Sequence, residues 1–260
     1  MQTTPSHTLP VLPEYCTRGF VIIREFRNRA AVDEYARHYM QLRATGPRPG
    51  DYGGNNADRA DPLNTFPRMI DMGDWDAQTR AWSQAPDLLA IVAQLLADTP
   101  VLKQTMLYFK PPGARGQGLH QDEQFINCSP LLGAWLALDD CDDANGCMQM
   151  VDGSHRRGLL PVTAADISSS FVPGQTTLPA DAVIESVPMQ AGDLLLFDGK
   201  TIHGSLPNTT TDRFRRSFIC HFIGARSQDF EPPSGYHMSH LDTAATSPGE
   251  QPGNDNAKGP

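Results

Sequence analysis

The sequence predicts a mainly β fold, a barrel or double-sheet jelly roll with helices packed on one side. Short apolar runs rich in β-branched residues follow one another closely from about residue 100 onward. Apolar residues at helical spacing are concentrated before that point. The 22 glycines and 22 prolines indicate many turns, which favours strands over a helical bundle. A chain of 260 residues can form one such domain with a substantial core.

The first hundred residues predict a helical portion, over about 25–98. Residues 1–13 are polar and contain prolines, and a loose arm is expected there. The apolar run at 19–24 predicts an opening strand. Residues 30–43 have the spacing of an amphipathic helix, and a second helical stretch over 75–96 restarts at Pro86.

The remaining strands are predicted over about 100–225, which would form the barrel. Residues 147–151 are expected to pair with the strand that precedes them across an acidic turn. One domain over 1–242 is expected, and the polar segment 243–260 should be a disordered tail. The predicted strands lie at 104–110, 118–126, 133–138, 147–151, 183–187, 193–197 and 217–224.

Charge and cysteine content exclude several classes of protein. The net charge is −9 and no run of lysine or arginine occurs, which argues against nucleic acid or an anionic membrane as partner. Five cysteines without a CxxC pair indicate free thiols in a reducing compartment. No apolar stretch resembles a signal peptide or a membrane span, so a soluble cytoplasmic protein is expected.

Two histidines and one aspartate form a candidate metal site. Residues i and i+2 of a strand point to the same side, so His120 and Asp122 would share a face if 118–124 is extended. A histidine from a second strand, His203, would complete two imidazoles and one carboxylate. Such a set leaves coordination positions open and suits non-haem Fe(II). The alternative is that these are ordinary polar residues and His120 lies at the surface.

Six motifs follow one another between residues 104 and 222. They are LHQD at 119–122, WLALDD at 135–140, NGCMQMVDGSHRRG at 145–158, GDLLLF at 192–197, HGSLPN at 203–208 and RR at 215–216. With these motifs, residues 104–222 resemble the phytanoyl-CoA dioxygenase (PhyH) family of Fe(II)/2-oxoglutarate-dependent oxygenases. The resemblance implies a double-stranded β-helix barrel (jelly-roll, cupin-like), with His120, Asp122 and His203 as iron ligands. It also implies Fe(II) as cofactor and 2-oxoglutarate and O2 as cosubstrates.

The distal carboxylate of 2-oxoglutarate requires a cation, and arginine can meet a carboxylate with two hydrogen bonds. The family places this arginine about eleven residues beyond the second histidine, and here the segment is one residue longer. Alignment of the RRS pattern favours Arg215, with Arg213 and Arg216 as rivals. Ser205 is the expected hydroxyl partner of the same carboxylate.

Further residues are expected to contact the cosubstrate or the substrate. Gln104, Tyr108 and Lys110 share a strand face by their spacing, and the resemblance makes that face a cavity wall. A solvent-facing polar stripe is the alternative for Lys110. Trp135 resembles the pocket aromatic of the family, although a core position would explain it too. Structural rather than catalytic roles are expected for His155 and His221.

The resemblance implies hydroxylation of an unactivated C–H bond, with release of succinate and CO2. Because related halogenases lack the carboxylate that Asp122 provides, a halide-free oxidation is expected. The absence of a basic patch for CoA phosphates favours a free small molecule, as in natural-product metabolism. Desaturation, epoxidation or cyclisation at the same iron is one alternative, and a non-catalytic or 2-oxoglutarate-independent cupin-type metal protein is another. Residues 46–68 and 160–182 are candidate lids.

Overall fold

A computed structural model describes residues 11–53 and 60–229, and the structural statements below concern these residues. The predicted tail and the domain boundary at residue 242 lie outside them, and both stay predictions. The loose arm over 1–13 is wrong at its end, because helix α1 (Val11–Arg18) already begins there and buries Val11 and Tyr15. No helix in this part of the chain is both long and apolar enough to cross a membrane.

Five further α-helices, two short 3-10 helices (Pro62–Asn64 and Ser154–Arg157) and thirteen strands are found in the described residues. The helices are α2 (Arg29–Ala44), α3 (Met72–Trp75), α4 (Ala77–Ser83), α5 (Pro86–Leu96) and α6 (Glu123–Ile126). The strands are β1 (Phe20–Ile23), β2 (Asp51–Tyr52), β3 (Arg68–Ile70), β4 (Pro100–Tyr108), β5 (Gln117–His120), β6 (Cys128–Ala137), β7 (Met148–Val151), β8 (Val162–Ala164), β9 (Gly174–Thr176), β10 (Ile184–Val187), β11 (Leu194–Asp198), β12 (His203–Ser205) and β13 (Ser217–Asp229).

The strands form two main antiparallel sheets, which confirms the prediction of a double-sheet jelly roll with flanking helices. The larger sheet has the order β1-β11-β6-β13-β4-β3-β2, and the smaller has the order β10-β7-β12-β5. From β5 onward the chain passes repeatedly from one sheet to the other. A separate hairpin, β8-β9, lies in the segment 160–182, where no strand was predicted.

The pairing expected for residues 147–151 is wrong. Strand β7 pairs with β10 and β12 in the smaller sheet, whereas β6, which precedes it, pairs with β11 and β13. The acidic turn between them therefore carries the chain across the sandwich instead of closing a hairpin. A local sequence pattern does not distinguish these two outcomes, because both need a turn at the same place.

Two hydrophobic clusters lie on opposite faces of the larger sheet. Strand β6 shows the division, since Leu132, Ala134 and Leu136 pack on the helix side. Trp135 and Ala137 face the smaller sheet. This alternation has the period of two that a strand buried on both faces requires. The helices thus brace one face of the larger sheet, and the space between the two sheets is left for the candidate site.

Replacement of Gly133 by alanine should destabilise the protein by about 1–3 kcal/mol, the usual cost of overpacking a core. Gly133 lies opposite Phe197 in the β6–β11 register, and a Cβ there would lie far inside contact distance of the Phe197 ring. Chemical denaturation of Gly133→Ala would measure the loss. The double variant Gly133→Ala/Phe197→Leu should recover part of it, and equal stability of Gly133→Ala and wild type would contradict the expectation.

Candidate metal centre

The two histidines of the candidate site are cross-strand neighbours in the smaller sheet. His120 ends β5 and His203 begins β12, and the two residues lie opposite each other in the antiparallel register. Their ring centroids are 4.3 Å apart. Directly opposed residues of a β ladder have their side chains close together, so the pairing itself brings the two imidazoles to one point.

Asp122 reaches the same point, but not through strand alternation. Strand β5 ends at His120, and Asp122 has helical backbone angles (φ −62°, ψ −33°) at the start of α6. The buried Gln121 side chain donates to the carbonyls of Gly158 and Lys200, at 2.8 and 2.7 Å, and so anchors the turn. The extended geometry expected for 118–124 is therefore found only as far as His120 and is wrong beyond it, although the expected grouping of side chains is found.

The Asp122 carboxylate faces both rings. Its Oδ1 lies 3.3 Å from His120 Nε2 and 3.5 Å from His203 Nε2. One ligand atom from each of the three residues lies within 4.8 Å of the others. All three side chains are buried.

The hydrogen bonds of the two rings leave their Nε2 lone pairs inside the cavity. The Nδ1 of His120 lies 2.9 Å from the carbonyl of Gly118, and the Nδ1 of His203 lies 2.9 Å from the carbonyl of Thr201. A carbonyl only accepts, so each Nδ1 carries the proton. Burial lowers the pKa of His203 to about 4, which keeps the ring neutral at neutral pH.

Two imidazole lone pairs and a carboxylate oxygen thus converge. The Gln117 amide nitrogen lies 3.0 Å from His120 Nε2 and donates to that lone pair, so this amide must turn away when a cation binds. Such a group of electron-pair donors fits a divalent cation. Nitrogen and oxygen donors without a thiolate are typical of non-haem iron, so the residues present fit the metal expected from the sequence.

His221 donates a hydrogen bond to the second oxygen of the Asp122 carboxylate. The sequence did not predict this contact. The His221 Nε2 donates to Asp122 Oδ2 at 2.9 Å, and both residues are buried. Burial alone would raise the pKa of Asp122, but His203, His221 and His120 together hold the pKa of this carboxyl well below its usual range. The available signal was the period-two spacing from Ser217 through Ile219 to His221, which turns all three toward the same face of β13.

Replacement of His221 by leucine should weaken Fe(II) binding by about 10- to 100-fold, the usual cost of losing a hydrogen bond to a metal ligand. His221→Gln keeps an N–H donor and should retain more of the affinity. Anaerobic titration calorimetry with Fe(II) would measure both. His155→Leu, a histidine outside the site, serves as the control, and wild-type affinity in a folded His221→Leu protein would contradict the assignment.

His120 and Asp122 lie where two compartments of one cavity meet, whereas His203 lines only the first of them. The first, here called the Arg215 compartment, has a volume of about 380 Å³ and is lined by Arg215, Ser205, Trp135 and His203 among others. The second, the Arg68 compartment, has a volume of about 540 Å³ and is lined by Arg68, Gln104, Phe125 and Val172 among others. Both are lined by Met106, Tyr108, Gln117, His120, Asp122 and His221.

Of the three rival arginines, Arg215 alone lines the cavity. It is 1% exposed, and its guanidinium lies 5.2 Å from the centre of the Trp135 ring. Its Nε donates to the Gly146 carbonyl and its Nη1 to the Ser217 hydroxyl, each at 2.9 Å.

The two rivals have other partners. Arg213 forms two hydrogen bonds to Asp142, and Arg216 forms two to Asp139. Since both already have a carboxylate partner, neither is available for a ligand in the Arg215 compartment.

Lys110 is buried beside this compartment, so the alternative of a solvent-facing stripe is wrong. The residue follows β4 with a positive φ of 35°, which turns its side chain inward. Its Nζ donates to the Ser205 hydroxyl at 2.8 Å and to the Leu206 carbonyl. Burial and the nearby Arg215 charge hold the pKa of Lys110 well below its ordinary value. Because Lys110 satisfies an acceptor site of Ser205, the Ser205 hydroxyl proton can be directed to a ligand.

Gln104, Met106 and Tyr108 of β4 form one wall of the cavity, as their spacing predicts. Gln104 lines the Arg68 compartment, whereas Tyr108 lines both compartments. The Tyr108 hydroxyl donates to Gln117 Oε1 at 3.0 Å, and the Gln117 amide lies 3.0 Å from His120 Nε2. Gln104 is therefore better placed to meet a substrate than to meet a ligand beside Arg215.

Both candidate lid segments reach the cavity. Segment 46–68 supplies Arg68 at its end, and segment 160–182 supplies Val172. Phe171 packs against Leu63 and Ala114 and fixes the second segment to the first. Residues 54–59 of the first segment lie outside the described part of the chain.

Comparison with known proteins gives one family. The family model described as Phytanoyl-CoA dioxygenase (PhyH) matches residues 15–217. Phytanoyl-CoA dioxygenase domain-containing protein 1 of Mus musculus is 32% identical over 166 residues, which are 60% of this chain and 56% of that protein. Phytanoyl-CoA dioxygenase of Arabidopsis thaliana is 34% identical over 129 residues, 48% of this chain and 44% of that protein. The chain thus spans about half the length of these relatives.

Solved structures share the fold at lower identity. The α-ketoglutarate-dependent carbocyclase SnoK from nogalamycin biosynthesis has a TM-score of 0.71 at 19% identity, covering 91% of this chain and 90% of that one. The epimerase SnoN, solved with Fe3+, α-ketoglutarate and nogalamycin RO, has a TM-score of 0.66 at 22% identity, covering 95% and 93%. These similarities confirm the jelly-roll architecture.

Proposed function

Because the chain belongs to the phytanoyl-CoA dioxygenase (PhyH) family, we propose that it is an Fe(II)- and 2-oxoglutarate-dependent dioxygenase that hydroxylates a C–H bond of a small molecule. The observation that carries the proposal is the convergence of His120, Asp122 and His203 beside a compartment that contains the buried guanidinium of Arg215. A metal site alone would not require a buried arginine beside it.

His120, Asp122 and His203 would hold the iron. When bound with 2-oxoglutarate, the iron supplies the activation of O2, one oxygen atom of which enters succinate and the other the substrate as CO2 is released. The protein residues fix the ligands: backbone carbonyls hold the tautomers of both rings, and His221 orients the Asp122 carboxylate. The Asp122 carboxylate would take the iron coordination position that a halide ion would need, so no halide would bind there.

Arg215, Ser205 and Trp135 would bind the distal part of 2-oxoglutarate. Arg215 supplies the charge, the hydroxyl of Ser205 donates a hydrogen bond, and Lys110 orients that hydroxyl. The Trp135 ring, against which the guanidinium lies, restricts its orientation. Tyr108 borders this compartment and could contact either ligand, whereas Gln104 is assigned to the substrate side.

The substrate would occupy the Arg68 compartment. This compartment combines apolar side chains, such as Phe125 and Val172, with a few polar groups, as sites for small molecules do. The half-buried polar wall provided by Gln104, Tyr108 and Gln117 can orient such a molecule through hydrogen bonds. A 2-oxoglutarate-independent metal protein is the less favoured alternative, because it would not need a buried cation at Arg215.

The test is succinate formation by anaerobically purified protein supplied with Fe(II), 2-oxoglutarate and O2. Slow turnover without substrate is expected, and it should disappear when Fe(II) is omitted and in the His120→Ala variant. Product analysis by mass spectrometry distinguishes hydroxylation, a gain of one oxygen atom, from desaturation, a loss of two hydrogens. No succinate above the metal-free control, with or without a panel of candidate substrates, would refute the proposal.

A further inference from the structure

Two arginines are buried in the described part of the chain, and they lie in the two compartments of the cavity. Arg215 is assigned to the cosubstrate above. Arg68, at the start of β3, is 8% exposed and lines the other compartment together with His120 and Asp122. Nothing in the proposed reaction so far uses its charge.

Arg68 is enclosed by aromatic rings. Its guanidinium carbon lies 4.4 Å from the ring centre of Tyr52, 4.9 Å from that of Phe171 and 5.4 Å from that of Tyr108. Its Nη1 donates to the Tyr108 hydroxyl at 2.8 Å. Ring faces attract a cation, and the hydrogen bond fixes its orientation, so the guanidinium is held in place before any ligand arrives.

No carboxylate neutralises this charge among residues 11–53 and 60–229, and the Nε of Arg68 is buried without a hydrogen-bond partner. Other partly buried arginines do have an acid: Arg27 pairs with Asp87, Arg43 with Asp51 and Arg115 with Asp61. Burying a charge is costly unless it is paired. The Arg68 guanidinium lies on the cavity wall in a fixed orientation and has no acidic partner there. This arrangement therefore indicates an anionic ligand.

The number of cationic side chains in the Arg68 compartment indicates which kind of anion binds there. Among the described residues that line this compartment, Arg68 is the one lysine or arginine. One guanidinium matches the single negative charge and planar shape of a carboxylate. A phosphate monoester has up to two charges and would need a second cation, which the lining does not provide.

We propose that Arg68 binds a carboxylate of the substrate, so that the substrates are small carboxylic acids oxidised at a carbon remote from the acid group. This rests on the proposed function, because it assigns the substrate of that same site. A chain of three hydrogen bonds, Arg68–Tyr108–Gln117–His120, connects the guanidinium to the candidate metal ligand. With three bonds of about 3 Å and roughly 2 Å across the Gln117 amide, Arg68 Nη1 and His120 Nε2 are no more than roughly 11 Å apart, which sets the scale of the distance from the acid group to the oxidised carbon.

The test compares matched pairs of small molecules. Amino acids, short fatty acids and aryl carboxylic acids, each with its primary amide, are titrated into protein containing Fe(II) and 2-oxoglutarate without O2, and binding is measured by calorimetry. At least one acid should bind at least about tenfold more tightly than its amide, and the same acid should stimulate succinate formation when O2 is admitted. Absence of any acid preference across the panel overturns the proposal.

Variants separate this proposal from the proposed function. Arg68→Gln should abolish the preference for the acid, and Arg68→Lys, which keeps the charge, should retain part of it. Both should give the wild-type circular dichroism spectrum and bind 2-oxoglutarate with wild-type affinity, which shows that they are folded. Arg29→Gln, at an exposed arginine, is the control. An undiminished acid preference in Arg68→Gln overturns the inference alone, whereas missing substrate-independent turnover in wild type refutes the proposed function.

Discussion

Replacement of His203 by alanine should weaken Fe(II) binding by more than about 100-fold and abolish succinate formation. Loss of a residue that only supports a metal ligand costs about 10- to 100-fold in affinity, so loss of a ligand itself should exceed that range. Two donors, His120 and Asp122, would remain, and two donors do not retain iron against dilution during purification. Anaerobic calorimetry with Fe(II) measures the affinity, and a succinate assay measures turnover.

The His203→Ala result needs a control for packing. The ring lies 4.4 Å from the centre of Phe197 and 4.3 Å from that of His120, so alanine leaves a cavity there. His203→Gln fills more of this space but provides no imidazole. Both variants should lose iron, and thermal unfolding should show a smaller loss of stability for His203→Gln. Wild-type iron affinity in either folded variant would remove His203 from the proposed ligand set.

The composition of the site could be predicted from the sequence because its motifs are local. His120 and Asp122 are two residues apart, and Ser205 follows His203 at the same spacing, so each pair remains together in almost any backbone geometry. The local geometry was less predictable. Asp122 was expected on a strand and lies instead at the start of a helical turn, which is fixed by hydrogen bonds from Gln121 to residues far along the chain.

The residues whose roles the sequence did not predict form contacts with residues far away along the chain. His221 meets Asp122 across 99 positions, and Arg68 meets Tyr108 across 40. The local sequence around Arg68 and His221 does not mark either residue as part of a site. Their roles depend on which strands become neighbours in the folded protein. The larger sheet brings β3, β4 and β13 side by side, and this order, β13-β4-β3, does not follow the chain. The order of strands within the larger sheet and the packing of the two sheets against each other therefore decide which polar residues enter the cavity.

The helical portion illustrates a similar limit. Helix α2 was expected over 30–43 and extends over Arg29–Ala44, because its apolar spacing is regular and Asn28 caps its first turn. Helix α1 was missed because only Val11 and Tyr15 bury its face, and the prolines around it suggest a loose chain. Its stability comes from packing on the core rather than from its own sequence.

Replacement of Arg215 by methionine should weaken 2-oxoglutarate binding by at least about 30-fold, because truncating one partner of a buried, hydrogen-bonded charge pair costs about 2–5 kcal/mol. Methionine preserves much of the side-chain volume and the contact with Trp135, but it loses the charge and the donors. Arg215→Lys restores the charge without the planar pair of donors and should bind with intermediate affinity. Calorimetry with 2-oxoglutarate in the presence of Fe(II) and without O2 measures all three proteins.

The rival arginines provide the matched controls. Arg213→Met and Arg216→Met remove ion pairs with Asp142 and Asp139 on the outside of the cavity, and both should bind 2-oxoglutarate within about threefold of wild type, since partly exposed ion pairs contribute little. Iron affinity should stay at the wild-type value in Arg215→Met, because no metal ligand contacts Arg215 through a hydrogen bond in the described residues. Wild-type 2-oxoglutarate affinity in Arg215→Met, together with a loss of affinity in one of the two controls, would assign the cosubstrate site to the arginine replaced in that control. The buried guanidinium of Arg215 would then be a structural support for the turn at Gly146.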